Sequence, residues 1–252
     1  MRMNIPTPNG PCLIMLDFDG TLVPWNVSPT AKVMVSPRLP GLLTNLQQAG
    51  HIVVIVTGRP QPVVCKLLAP ARVPVVGLHG AQWPGKPLPA RNPFLDTALQ
   101  QLQQLQHHFP QLRIEDKQVL ASGHWGQVPV GQKQTAARAV VKTLQTLARQ
   151  SLEGPDRLSL LGGHNMMELR PDCASKALSA ARLLQQHPHL HPVFIGDDLS
   201  DEEAFVQLSK LPVPSTTVRV CAHADVQTAA TYRLAKPADV HAFLRQLFQN
   251  DK

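Results

Sequence analysis

Asp17 and Asp19 follow directly on the apolar run Leu13 to Leu16 and lead into Gly20 and Thr21. A second acidic pair, Asp197 and Asp198, closes the run PVFIG, with Asp201 close behind. A third run, HIVVIV, ends in Thr57, Gly58 and Arg59, a hydroxyl and a guanidinium. Carboxylates sharing one crevice repel, and the usual relief is a divalent cation with oxygen ligands, most naturally Mg²⁺. The chemistry open to such a set is metal-assisted phosphoryl transfer. Singly, each piece has a plainer reading. Asp17 and Asp19 can open a turn, Thr57 and Gly58 can end a strand, and Ser200 with Glu203 has the spacing of a helix capping box. A cap leaves Asp197 and Asp198 unexplained, at a strand end, in a chain with only 17 acidic residues among 252.

These residues meet only if the runs that carry them are neighbouring strands. The chain predicts a strand over Cys12 to Leu16, then a helix in SPRLPGLLTNLQQAG with Gly50 as its C-terminal cap. A buried strand (HIVVIV), a short helix (about Gln61 to Ala69) and a third apolar run (VPVVGLHG) follow. This βαβ rhythm implies right-handed crossovers and a three-layer parallel α/β core, with ligands bound beyond the carboxyl ends of the strands. The rhythm breaks from Trp83. A Pro-rich entry leads to a Gln-rich helix over Phe94 to His108, strand candidates near Gln118 to His124, and a helix over about Gln132 to Gln150. Gly154-Pro155 and two short strands, about Arg157 to Leu161 and Asn165 to Arg170, complete the stretch. That grouping predicts an inserted α+β domain over 83–171, inside a core domain of 1–82 and 172–252. From Ala174 the rhythm returns: helix, strand HPVFIGDD, helix SDEEAFVQLSK, strand TVRV, and a last helix from about Ala238.

The net charge of +7 comes from scattered basic residues, with no Lys/Arg run and no interleaved aromatics. A nucleic-acid groove would need both, so a small anionic substrate fits better and no nucleic-acid partner is expected. The four cysteines form no CxxC pair, which favours a reduced interior over a zinc site or disulfides. The N-terminus lacks the apolar core of a signal peptide, and nowhere do about 18 apolar residues run uninterrupted. The expectation is a cytoplasmic protein with no membrane partner. HPHLHP, interrupted by prolines and completed by no Cys or acid, reads as a loop.

Four motifs in order, DFDGT (Asp17 to Thr21), Thr57, Lys176 opening a helix and GDDLSDE (Gly196 to Glu202), resemble the haloacid dehalogenase superfamily of phosphotransferases. The 83–171 insert resembles that superfamily's cap domain. Within it the chain is most similar to the trehalose-6-phosphate phosphatase family: VTGRP, GLHGA (Gly77 to Ala81), ELRP (Glu168 to Pro171) and PVFIGDDLSDEEAF all match, and K-x6-HW (Lys117, His124, Trp125) resembles its K-x6-HY. The resemblance implies Asp17 as nucleophile, Asp19 as general acid and base, Thr57 as donor to the phosphoryl group and Lys176 as charge balance. It implies Mg²⁺ on the Asp17 carboxylate, the Asp19 carbonyl and Asp197, with Asp198 and Asp201 in or near the shell behind them. Gly20, Thr21, Gly58, Arg59 and His79 would bind the substrate, Arg59 and His79 having the plainer reading of strand-end residues, and Lys117, His124 and Glu168 would meet the sugar hydroxyls. Two positions depart from the family: Gly126 stands where an Arg is usual after HY, and Lys176-Ala177 where Lys-Gly is usual. A phosphatase for sucrose 6-phosphate or mannosyl-3-phosphoglycerate, a phosphomutase, and a non-catalytic subunit of a trehalose-synthesising assembly are the rivals. Trehalose-6-phosphate synthase is the implied partner.

Overall fold

The protein is described by a computed structural model covering residues 5–25, 33–151, 157–223 and 225–249. The expected Gly154-Pro155 break lies outside the described residues. The chain forms two compact units, Met1–Lys86 with Ser175–Lys252, and Pro87–Ala174. The first unit opens with β1 (Cys12–Leu16), α1 (Leu39–Gln48), β2 (Ile52–Val56), α2 (Gln61–Leu68), β3 (Val75–Val76) and a single 3-10 turn at Leu78–Gly80. The insert contains α3 (Pro93–His108), β4 (Arg113–Asp116), β5 (Ala121–His124), α4 (Val130–Gln150), β6 (Leu158–Gly163) and β7 (Met166–Pro171). The first unit resumes with α5 (Lys176–Gln186), β8 (His191–Gly196), α6 (Leu199–Ser209), β9 (Thr216–Val220), β10 (Tyr232–Leu234) and α7 (Pro237–Gln249).

The six strands of the first unit form a parallel sheet in the order β10-β9-β8-β1-β2-β3. All five side chains of β1 are buried, because successive side chains point to opposite faces and both faces are covered. Ile14 and Leu16 pack with Leu43 and Leu46 of α1, Val64 of α2 and Leu244 of α7. Leu13 and Met15 pack on the other side with Leu183 of α5 and Phe205 of α6. Each such buried aliphatic stabilises the unit by about 1.5–3 kcal/mol, so β1 is held rigidly at its centre. The three-layer fold is the one expected. Strand order runs outward from β1 in one direction through β2 and β3, and in the other through β8 to β10. The β1–β8 boundary is therefore the reversal point at which open α/β sheets bind ligands.

The insert has its own antiparallel sheet, in the order β4-β5-β7-β6. Leu95, Ala98 and Leu102 of α3 and Val140, Leu144 and Leu147 of α4 form its core with Ala121 and Leu169 from the sheet. Three expectations need correction. Of the strand candidates near Gln118 to His124 one forms, β5, after a turn, and it pairs with an unexpected β4. β10 was also unexpected. Both are edge strands, and RIED and YRL carry too little apolar pattern to announce themselves. Third, the capping box of α6 is formed by Asp198 and Asp201, not by Ser200 and Glu203.

Candidate active site

Three parallel strands deliver the candidate residues at one end of the sheet. Asp17 is the residue after β1, Thr57 the residue after β2 and Asp197 the residue after β8. The Asp17 amide donates to the Ile195 carbonyl (2.9 Å), so the ladder is still closed where the acids begin. A tight turn follows, in which Leu22 and Val23 donate to the Phe18 carbonyl and Gly20 donates to Val23. Gly20 sits at φ +77, and a Cβ there would come within 2.1 Å of Asp197 Oδ2. Only a glycine lets these two acidic turns touch. Thr21 Oγ1 donates to Asp197 Oδ1 across the same boundary, at 3.4 Å.

The centre of the cluster is Lys176, at the start of α5 and 1% exposed. Its Nζ donates to Asp17 Oδ1 (2.7 Å) and Asp201 Oδ1 (2.8 Å) and stands 3.9 Å from Asp198 Oδ1. The other oxygen of Asp201 accepts the amides of Asp197 (2.9 Å) and Asp198 (3.0 Å), while Asp198 Oδ1 accepts those of Ser200 and Asp201. Asp201 is thus the buried keystone of the loop after β8, and Asp198 its cap. Burial raises the Asp17 pKa well above the ordinary range, against the pull of Lys176. Burial, helped by Asp201 and Asp198, pushes Asp197 up to about 8. Burial also raises Asp201. Asp198 is pushed up by burial too, but Lys176 and the Ser200 hydrogen bond outweigh it and hold the carboxyl well below its usual range. Burial alone would lower Lys176, yet Asp17 and Asp201 leave its pKa well above the ordinary value.

Asp19 lies outside this knot. Arg59 grips its carboxylate as a fork, Nε to Oδ2 at 2.5 Å and Nη2 to Oδ1 at 2.8 Å. Thr57 Oγ1 accepts the Arg59 amide (3.2 Å), which leaves its own proton to donate elsewhere. His79 is buried at φ +54, after Leu78 at φ +51, and a Cβ on Gly58 would lie 2.5 Å from its Nε2. Two consecutive left-handed non-glycine residues cost roughly 1–2 kcal/mol each, and such strain is characteristic of functional turns.

In the insert, Lys117 Nζ donates to Glu168 Oε2 at 2.9 Å and lies 3.6 Å from Glu115 Oε2. Ser122 Oγ donates to the same Glu168 oxygen at 2.7 Å, and both Ser122 and Glu168 are fully buried. His124 Nε2 approaches Glu115 Oε2 at 3.4 Å. Lys117, His124 and Glu168 are therefore brought together. Ser122, unremarked in the sequence, joins them because β5 pairs it with Glu168; its alternation with His124 was the available signal.

The trehalose-phosphatase profile matches residues 15–238. The chain belongs to the trehalose-phosphatase family. It is 28% identical to the trehalose-6-phosphate phosphatase of Escherichia coli K12 over 238 residues, covering 92% of this chain and 84% of that one. Its fold matches the C-terminal domain of the Candida albicans trehalose-6-phosphate phosphatase with a TM-score of 0.83 at 22% identity, over 98% and 99% of the two chains. It also matches a haloacid dehalogenase-like hydrolase from Bacteroides thetaiotaomicron with a TM-score of 0.61 at 17% identity, over 94% and 99%. As a trehalose-phosphatase family member the chain is a phosphatase on a haloacid dehalogenase-like fold. No helix among the described residues is long and apolar enough to cross a membrane.

The trehalose-phosphatase cluster fits a divalent cation. One carboxylate oxygen each of Asp17, Asp197 and Asp201 lies within 4.8 Å of the others, and in these three acids burial prevails and leaves the pKa raised. Asp201 already spends both oxygens on Lys176 and two amides, so Asp17 and Asp197 are the pair best placed to bind an ion. Oxygen donors alone, with no sulfur or imidazole among the three, suit Mg²⁺.

Proposed function

We propose that the protein is a Mg²⁺-dependent phosphatase that hydrolyses trehalose 6-phosphate to trehalose and phosphate through an aspartyl-phosphate on Asp17. The observation that carries this reading is the buried Lys176 bound to both Asp17 and Asp201, with Asp197 beside them at the β1–β8 boundary. The Asp17 carboxylate, the Asp19 backbone carbonyl and Asp197 would hold Mg²⁺, which when bound neutralises phosphoryl charge and offsets the mutual repulsion of the acids. Asp17 attacks phosphorus in line as the P–O bond to the sugar breaks, and Asp19 gives the leaving oxygen its proton. Asp19 then takes a proton from the water that attacks the aspartyl-phosphate, releasing inorganic phosphate and restoring Asp17. Thr57 donates its hydroxyl proton to a phosphoryl oxygen, and Lys176 balances the charge on Asp17 throughout. Arg59 orients Asp19 and keeps it apart from the Asp17–Asp197 pair. Gly20, Thr21, Gly58 and His79 shape the surroundings of the phosphate.

Sugar recognition falls to the insert, where Lys117, His124 and Glu168 offer donors and acceptors to hydroxyl groups. Support for trehalose 6-phosphate comes from family membership and from the name carried by the E. coli relative. The test is phosphate release from a panel of sugar phosphates, with Mg²⁺ or with chelator, for wild type and Asp17→Asn. Preference for trehalose 6-phosphate is expected, with activity at background in chelator and in Asp17→Asn. Near wild-type turnover by Asp17→Asn would end the nucleophile assignment.

A further inference from the structure

Lys117 stands on the turn between β4 and β5, and a residue outside that turn holds its geometry. Lys117 donates its amide to the Leu120 carbonyl (3.0 Å) and accepts that of Val119 (2.9 Å), closing the turn on itself. Its neighbour Gln118 sits at φ +70, in the left-handed region that side chains avoid. Such a conformation persists only where its surroundings enforce it. Asp116 Oδ1 accepts the Gln118 amide at 2.8 Å, and Arg91 supplies the rest. Its Nη1 donates to Asp116 Oδ1 (2.9 Å) and its Nη2 to Asp116 Oδ2 (3.1 Å), while Nη1 also donates to the Gln118 carbonyl. One guanidinium therefore holds the residue before Lys117 and the residue after it. The Arg91 Nε donates to Asp96 Oδ1 (2.9 Å), and Asn92, the next residue, caps α3 by accepting the Phe94 amide. The clamp is tied to the start of α3 at one end and to the lysine turn at the other.

We propose that Arg91 is a positioning residue that sets sugar specificity: by clamping Asp116 and Gln118 it fixes the turn that aims the Lys117 ammonium, and it acts through Lys117 without touching substrate. This rests on Lys117 being a sugar ligand. The Lys117 side chain is 11% exposed and has Glu168 and Glu115 within reach, so the direction of its ammonium depends on where the turn places its Cα. Arg91 and Asp116 are partly exposed, at 30% and 46% of their side chains. Exposed ion pairs add little to stability, so the clamp can be removed without unfolding the insert. Lysine cannot replace it, because one ammonium cannot hold a carboxylate bidentately and reach a carbonyl two residues on.

The experiment compares kcat/KM on trehalose 6-phosphate and on p-nitrophenyl phosphate, a phosphomonoester with no sugar hydroxyls. The proteins are wild type, Arg91→Met, Arg91→Lys, Lys117→Ala and the Arg91→Met/Lys117→Ala double variant, each with its thermal midpoint. Both Arg91 variants should lose about 10- to 100-fold on the sugar phosphate, mainly in KM, the cost of misplacing a binding group by a fraction of an ångström to an ångström. The p-nitrophenyl phosphate rates should stay at wild type, and the double variant should be no worse than Lys117→Ala alone. Losses that multiply in the double variant, or that fall equally on both substrates, overturn the proposal while leaving the sugar assignment intact. A wild type with no preference for trehalose 6-phosphate and no response to Lys117→Ala overturns the assignment of the sugar site and the proposal with it.

Discussion

Lys176 shows what a single buried charge can organise. Its ammonium is shielded from water and satisfied by carboxylates from two different turns, Asp17 after β1 and Asp201 in the first turn of α6. Removing one partner of a buried ion pair typically costs about 3–5 kcal/mol, because the charge left behind is neither hydrated nor paired. Lys176→Met should therefore lower the thermal midpoint in chelator by about 6–20 °C, at roughly 2–4 °C per kcal/mol for a chain of this size. Added Mg²⁺ should raise that midpoint more in the variant than in wild type, since the cation becomes the main counter-charge for Asp17. Differential scanning with and without Mg²⁺ measures both effects, and a variant that melts with wild type in chelator contradicts the electrostatic account. The lysine's position at a helix start was legible from its place before an apolar pattern. Its burial was not, because a lysine opening a helix is ordinarily solvated. Arg59 was legible as a strand-end residue, but its partner Asp19 lies 40 positions away, and no local pattern encodes that pairing.

The turns that carry the site tolerate change unequally. Gly20 has a positive φ and no room for a Cβ, and Asp197 is what the Cβ would strike. Gly20→Ala should therefore displace Asp197 and reduce phosphate release sharply, with Mg²⁺ half-saturation moving to higher concentration. Gly126 follows β5 and Trp125, and the nearest atom to its Cβ would be Asn165 Cβ at 3.6 Å, an ordinary contact. Gly126→Ala should leave unfolding free energy within about 0.5 kcal/mol of wild type, as measured by denaturant titration. A marked loss there would mean that the glycine serves the backbone and is not simply a missing side chain. The elements themselves were readable where periodicity is strong, as in α1 with buried Leu39, Leu42, Leu43 and Leu46. The α6 cap misled because Ser-x-x-Glu and Asp-x-x-Asp overlap by two residues. Which pair closes the box depends on Asp201 being pulled inward by Lys176 and two amides, a tertiary effect invisible to spacing.

At the scale of the whole chain, the α/β rhythm and its continuous apolar runs announced a parallel sheet, but rhythm carries no strand order, and it is the fold that sets β1 beside β8. The edges, β4 and β10, escaped because an edge strand needs little apolar pattern. Ionisation acts oppositely on the two units. In the insert, Arg91 holds the Asp116 pKa below 3.8; burial pushes Glu115 up, yet His124 and Lys117 bring it below 4.5. A lowered carboxyl adds stability above its unfolded pKa that is lost as pH falls through the folded value, so the insert weakens in acid below about pH 4.5. In the other unit Asp17, Asp197 and Asp201 are raised above 3.8 by burial first. A raised carboxyl adds stability below its unfolded pKa that is lost as pH rises through the folded value, which for Asp197 is about 8. Without metal, those three carboxyls should take stability from that unit as pH climbs from about 4 to about 8, against a gain below about pH 6.5 from His191 and His241, whose pKa burial lowers. On the proposed function Mg²⁺ would bind these carboxylates in their ionised form and stabilise by mass action. The rise in thermal midpoint on adding Mg²⁺ should accordingly be larger at about pH 8 than at about pH 5, in a melt followed with and without chelator. A Mg²⁺ shift that is flat or shrinks as pH rises would place the cation somewhere other than on Asp17 and Asp197.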